Sequence, residues 1–212
     1  MPSPATPPRV LGLILAGGLA RRMGGGDKPL LRLGGRTLLD RIAERLAPQC
    51  GAGLVLSANG DPARFADFPG PVLPDPVPGL PGPLAGILAG LDFAAGHRPD
   101  VTHVLSVSGD APFLPGDLAV RLVRTLDGAT VAVAASGGRE HYTVALWPVV
   151  LRTDLRSTLV ERGERRVGAF MARHGTRAVA WPTDPIDPFL NVNTPEDLAV
   201  AEAATRAAWT GA

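Results

Sequence analysis

A single lysine stands among the 21 basic residues of this 212-residue chain, and it closes a glycine cluster. The stretch Leu15-Ala-Gly-Gly-Leu-Ala-Arg-Arg-Met-Gly-Gly-Gly-Asp-Lys28 sets Arg21, Arg22 and Lys28 around backbone rich in glycine. Glycine lets main-chain N–H groups approach phosphate oxygens without a Cβ in the way, and the cations neutralise the anion. Every other basic residue is arginine, so a plain surface charge was free to be arginine here too. A compact ammonium suits a site too narrow for a guanidinium; chance is the competing account. The loop is not a P-loop, which needs Gly-Lys-Ser/Thr opening a helix, nor is it a G-x-G-x-x-G fingerprint.

Two carboxylates lie where they could complete such a site. Asp110 ends the apolar run Thr102-His-Val-Leu-Ser-Val-Ser-Gly109, and a carboxylate there can hold Mg²⁺ against phosphate oxygens. Asp75 sits between Pro74 and Pro76, which keep the chain extended. Amides follow at Asn59, Asn191 and Asn193, and a basic pair at Arg165 and Arg166. Each has a structural alternative. Asp110 and Asp75 could be turn or capping residues, Asn59 a turn former, and Asn191 and Asn193 an Asx turn before a helix. Arg22 could make a structural salt bridge, and Arg165 and Arg166 could lie on a solvated face.

The elements that must carry these residues alternate. Val10 to Leu15 is a short apolar run that reads as a buried strand before the glycine loop. Thr37 with Asp40 resembles a capping box, and Leu38, Leu39, Ile42 and Leu46 recur at helical spacing behind it. Further strands are expected at 53–58, 102–108, 130–135, 142–147 and 177–181, and Val72 and Leu73 lead into a Pro/Gly-rich loop over 75–82. Helices are expected from Pro83 to about Ala95, over 118–126 with Asp117 as the cap, near 149–160 and 166–173, and from Thr194-Pro-Glu-Asp197 to about Ala208. Alternation of this kind predicts an α/β fold with a mainly parallel sheet, whose ligands bind beyond the carboxyl ends of the strands. The glycine loop, Asp75 and Asp110 all fall at such ends.

Composition narrows the function. With 45% hydrophobic residues the chain is expected to fold, as one domain over residues 9–208 behind a disordered, proline-rich tail over 1–8. A formal net charge of +1 argues against a nucleic-acid partner. No apolar run approaches a membrane span and no signal core is present, so a cytoplasmic protein is expected. The lone cysteine, Cys50, excludes an intrachain disulfide and a cysteine-based zinc site.

Residues 15–28 resemble the L-A-G-G-x-x-x-R-M-G-G-x-D-K signature of the molybdenum cofactor guanylyltransferases, the MobA-like nucleotidyltransferases, at every fixed position. Three more segments are similar to that family in order: Gly82-Pro-Leu-Ala-Gly86, Gly109-Asp-Ala-Pro-Phe-Leu114 and Asn191-Val-Asn-Thr-Pro-Glu-Asp-Leu198. Cytidylyl relatives usually read L-A-A-G and lack the G-G-x-D-K ending. One departure stands out: Tyr142 follows His141 where relatives usually carry proline, at the pterin pocket.

The resemblance implies a Rossmann-like three-layer sandwich of the nucleotide-diphospho-sugar transferase type. Its N-terminal part would bind GTP and its C-terminal part Mo-molybdopterin, with Mg²⁺ as cofactor. It implies that the main chain of Leu15, Ala16 and Gly17, with Asn59 and Asp75, would hold the nucleoside. Lys28 would contact phosphates, Asp110 would hold the metal, and Arg22 would stabilise charge on the transferring phosphate. Asn191, Asn193, Arg165 and Arg166 would face the acceptor, with transient contacts to molybdopterin-handling proteins or molybdoenzymes. Two other readings stay open. A cytidylyl or sugar-phosphate nucleotidyltransferase would prefer another base or acceptor, and a non-catalytic nucleotide-binding adaptor would release no pyrophosphate.

Overall fold

A computed structural model of the chain describes residues 9–17, 26–79, 82–126 and 131–210, the side chains of the last helix to Arg206. The expected tail over 1–8, and Arg21, Arg22, Gly24 and Gly25 of the glycine loop, lie outside the described residues. The main sheet holds seven strands. They are β1 (Val10–Leu15), β4 (Leu54–Ser57), β5 (Val72–Leu73), β6 (His103–Ser108), β7 (Ala132–Ser136), β8 (Arg139–Pro148) and β9 (Arg177–Trp181), ordered β5-β4-β1-β6-β8-β7-β9. All adjacent pairs are parallel except those of β8, which runs antiparallel to both β6 and β7. The mainly parallel α/β fold expected from the sequence is the one observed.

Strand alternation feeds two cores. Val10 and Ile14 of β1 face one side, with α1 (Leu38–Leu46) and α3 (Leu118–Thr125). Leu11 and Leu13 face the other, with α2 (Pro83–His97), α4 (Arg152–Val160) and α5 (Val167–Ala172). Burial on both faces is why these strands read as continuous apolar runs. The last helix, α6 (Pro195–Thr210), closes a smaller cluster of Leu33, Leu38, Val192 and Ala201. Leu33 belongs to a two-stranded ribbon, β2 (Arg32–Leu33) with β3 (Arg36–Thr37), that the sequence reading did not anticipate.

Among the helix starts, that of α1 is as expected and that of α3 is corrected. Thr37 and Asp40 form a complete capping box on α1, at 3.0 and 3.2 Å. Asp117 sits at the N-cap position of α3, but its side chain makes no cap bond there and accepts instead from the Trp181 indole N–H at 2.9 Å. The orphan amide of Ala119 donates to Gln49, 70 residues away, at 3.0 Å. A partner from another element thus replaced the local cap, which sequence alone cannot anticipate.

β8 begins three residues before the expected 142 because it opens a hairpin. Ser136 pairs with Arg139 around Gly137 and Gly138, both at positive φ (53° and 75°). That is the tight turn whose backbone twist matches two antiparallel strands, and its positive φ at both positions favours glycine. The register then slips: Val133 pairs with Ala145 but Ala134 with His141, leaving Tyr142 to Val144 as a bulge. Bulges re-aim side chains, and Thr143 is turned to the site described next.

Candidate active site

The carboxyl ends of β1, β4 and β6 stop beside one another, and a cleft of about 290 Å³ opens over them. Leu15, Gly17, Asn59 and Asp75 line it, with Gly86 of α2 and Thr143 of β8. Leu15 also borders a smaller depression with Lys28, Ser108 and Asp110, so the two pockets share a wall. Ala16 is buried behind them, and its amide donates to the Ser57 carbonyl at 2.8 Å.

Lys28 and Asp110 are 82 residues apart in sequence and 3.0 Å apart in space, Nζ to Oδ2. Only 15% and 13% of the two side chains is exposed. The same ammonium donates to Asn193 Oδ1 at 2.6 Å, and the Ser108 hydroxyl donates to Asp110 Oδ1 at 2.5 Å. Three local features bring this about. Asp27 precedes the short 3₁₀ turn Lys28–Leu30 that carries the lysine, and Pro29 lies within it. A Cβ on Gly109 would lie 2.8 Å from the Leu15 carbonyl, so only glycine lets the end of β6 reach the end of β1. The Val192 amide donates to the Asp110 carbonyl at 2.9 Å, which ties the Asn191–Asn193 segment to the carboxylate.

Asn59 and Asp75 face one another across the cleft wall. The Asn59 amide donates to Asp75 Oδ2 at 2.7 Å, and the Asp75 backbone N–H donates to Asn59 Oδ1 at 2.9 Å. Asn59 is therefore engaged in holding Asp75. Arg165 and Arg166 sit at the start of α5 and are exposed; Arg166 pairs with Glu164 at 2.9 Å. Hydrogen bonds from Arg166 pull the Glu164 carboxyl down to about 2. Tyr142 lies against α5 as well, where a Cβ on Gly168 would come within 3.0 Å of its ring.

His141 is half-buried against Phe189, on the α1–α3 side of the sheet. The Ser136 hydroxyl donates to Asp187 at 2.8 Å, so its oxygen is left to accept from His141 Nε2–H at 2.7 Å. Burial holds the imidazole below its ordinary pKa, opposed by the Asp187 charge. His141 is thereby tethered at both its ring face and its Nε2.

The sequence reading placed Leu15, Lys28, Asn59, Asp75 and Asp110 at or after strand ends, and the structure has them at one edge of the sheet; Asn193, expected at the acceptor end, lies against Lys28. It missed Ser108, Thr143 and Arg64. Ser108 was the legible one, two residues before Asp110 at a strand end. Thr143 depended on the bulge. Arg64 lies in an exposed turn, yet its guanidinium bonds both oxygens of Asp27.

The donor set fits a hard cation. Asp110 offers one carboxylate, and a lysine ammonium rests on it as a cation would. Among the described residues no group of three or more His, Cys, Asp or Glu could hold a metal alone. A single protein carboxylate with the remaining positions filled by phosphate oxygens and water is the usual arrangement for Mg²⁺ with a nucleotide.

A doubly wound sheet with a largely apolar cleft, a few convergent polar groups and a cation–carboxylate pair at its carboxyl edge defines a nucleotide-handling α/β protein. The chain belongs to the family described as the MobA-like NTP transferase domain, which matches residues 12–178. A molybdenum cofactor guanylyltransferase of Rhodopseudomonas palustris (strain BisB5) is 58% identical over 201 residues, 94% of this chain and 93% of that one. Another protein of that name, from Bradyrhizobium sp. (strain ORS 278), is 56% identical over 200 residues, 93% of this chain and 94% of its own. The fold is similar to that of molybdopterin-guanine dinucleotide biosynthesis protein A from Archaeoglobus fulgidus. The TM-score there is 0.72 at 20% identity, covering 93% of this chain and 99% of that one. Among the described residues no helix is long and apolar enough to cross a membrane.

Proposed function

We propose that the protein transfers GMP from GTP to the terminal phosphate of Mo-molybdopterin, forming Mo-molybdopterin guanine dinucleotide and pyrophosphate. The observation that carries this reading is the part-buried Lys28–Asp110–Asn193 contact at the edge of the cleft. A phosphate oxygen of the acceptor attacks the α-phosphorus, the α–β phosphoanhydride bond breaks, and pyrophosphate leaves. Both reactants are anions, so neutralisation and in-line positioning supply most of the rate.

Lys28 hydrogen-bonds the departing phosphates, and Asp110 holds Mg²⁺, which supplies further neutralisation of the triphosphate when bound. Arg22 stabilises charge on the transferring phosphate. The main chain of Leu15, Ala16 and Gly17 borders the nucleoside. Asp75, oriented by Asn59, accepts from the N1–H and amino group of guanine, a pair of donors that cytosine lacks. Asn191, Asn193, Arg165 and Arg166 bind the acceptor, Asn193 from its position beside Lys28. The reaction takes place in the cytoplasm, with brief contact to the proteins that deliver molybdopterin or receive the product.

Pyrophosphate release is the test, with GTP or CTP and with or without molybdopterin. Release that needs both GTP and molybdopterin is expected. Preference for CTP would overturn the base assignment, and release with a sugar phosphate in place of pterin would overturn the acceptor.

A further inference from the structure

We propose that Arg64 is a positioning residue that locks the base end of the nucleotide site to its phosphate end, an inference that rests on the cleft being a nucleotide site. The segment Asn59-Gly60-Asp61-Pro62-Ala63-Arg64 builds the device locally. Gly60 turns the chain at φ 85°, and Asp61 accepts from the Ala63 amide at 2.9 Å. Pro62 then opens the 3₁₀ turn Pro62–Phe65. The guanidinium that emerges uses each of its nitrogens. Nε donates to the Asp61 carbonyl at 3.0 Å, Nη2 to the Asn59 carbonyl at 2.5 Å, and Nη1 to both Asp27 oxygens at 2.5 Å.

Those partners belong to the two ends of the site. Asn59 holds Asp75 on the cleft wall. Asp27 precedes Lys28, and its carbonyl accepts from Leu30 in the turn that aims the lysine at Asp110. A continuous polar chain therefore runs Asp75–Asn59–Arg64–Asp27–Lys28–Asp110. The Asp27 side chain is only 12% exposed, against 35% for Arg64, so the pair is not an ordinary surface contact. A planar guanidinium holds its donors on three nitrogens in a fixed fork, which spans the two carbonyls and the carboxylate; a lysine's three donors radiate from a single nitrogen and cannot reach all of them.

The test uses the full chain with calorimetry on fragments of the ligand. Guanosine probes one end, inorganic pyrophosphate with Mg²⁺ the other, and GTP both. Arg64→Ala is expected to weaken both fragments and to raise the KM for GTP about tenfold, with kcat changed less than about threefold, since the residue touches no reacting atom. Arg64→Lys should recover pyrophosphate binding, through a restored charge on Asp27, without recovering guanosine binding. Asp27→Asn should weaken pyrophosphate alone. The proposal is overturned if Arg64→Ala lowers the Tm while both fragments bind within twofold of the unaltered chain, or if Arg64→Lys matches it at both ends. An unaltered chain that binds neither fragment would instead remove the nucleotide reading itself, and this inference with it.

Discussion

The pair formed by Lys28 and Asp110 should be strongly coupled in stability and not in activity. At 3.0 Å and an effective dielectric of about 20, their attraction is about 5.5 kcal/mol before desolvation. Both side chains are more than four-fifths buried, so desolvation cancels much of that gain. Lys28→Met strands the Asp110 carboxylate with the Ser108 hydroxyl as its remaining donor among the contacts described above. A net loss of about 2 kcal/mol follows, or about 4–8 °C in Tm for a domain of this size. Adding Asp110→Asn removes the stranded charge, so most of the loss should return, with a coupling energy above about 1 kcal/mol.

Activity should do the opposite. Lys28→Met lowers GTP affinity about 10- to 100-fold by removing a charged hydrogen-bond donor to phosphate, and the second substitution brings none of it back. Urea unfolding of the four proteins in the cycle, with GTP titrations on each, measures both quantities. Stability costs that add to within about 0.5 kcal/mol would refute the pair as described. Unchanged GTP affinity in Lys28→Met would remove the lysine from the phosphate site.

Three further outcomes follow from other contacts. Asp75→Asn, which exchanges one acceptor oxygen for a donor, should narrow the preference for GTP over CTP at least tenfold in kcat/KM, and an unchanged ratio would contradict the guanine role. Gln49→Ala removes the partner of the α3 amide and should cost about 1 kcal/mol by urea unfolding, whereas a loss within error would mean that water caps the helix equally well. His141 has a depressed folded-state pKa, so the unfolded chain binds more protons. Its contribution is therefore present above the ordinary value of 6.5 and is lost as pH falls below it. His141→Gln should flatten the slope of Tm against pH between about 5 and 7; an undiminished slope would place the proton elsewhere.

How much of this was legible beforehand depends on the range of the interactions. Local sequence determined the elements. Apolar runs buried on two faces marked β1, β4 and β6. The Thr37 capping box and Pro83 at a first helical position marked α1 and α2. The glycine loop, Asp75 and Asp110 could be assigned to strand ends, and so to one edge of a parallel sheet, because a strand's direction fixes where its following loop must lie. Only the tertiary structure decided which of those groups touch. Asn193 meets Lys28 across 165 residues, Gln49 displaces Asp117 as the cap of α3, and a bulge in β8 turns Thr143 to the cleft. Arg64 reads as a solvated turn residue until Asp27 is seen beneath it. Periodicity and capping are written within a few residues of the chain. Hydrogen-bond partners in a site are chosen by whichever distant segments the packed sheet brings within about 3 Å, and no local pattern encodes that choice.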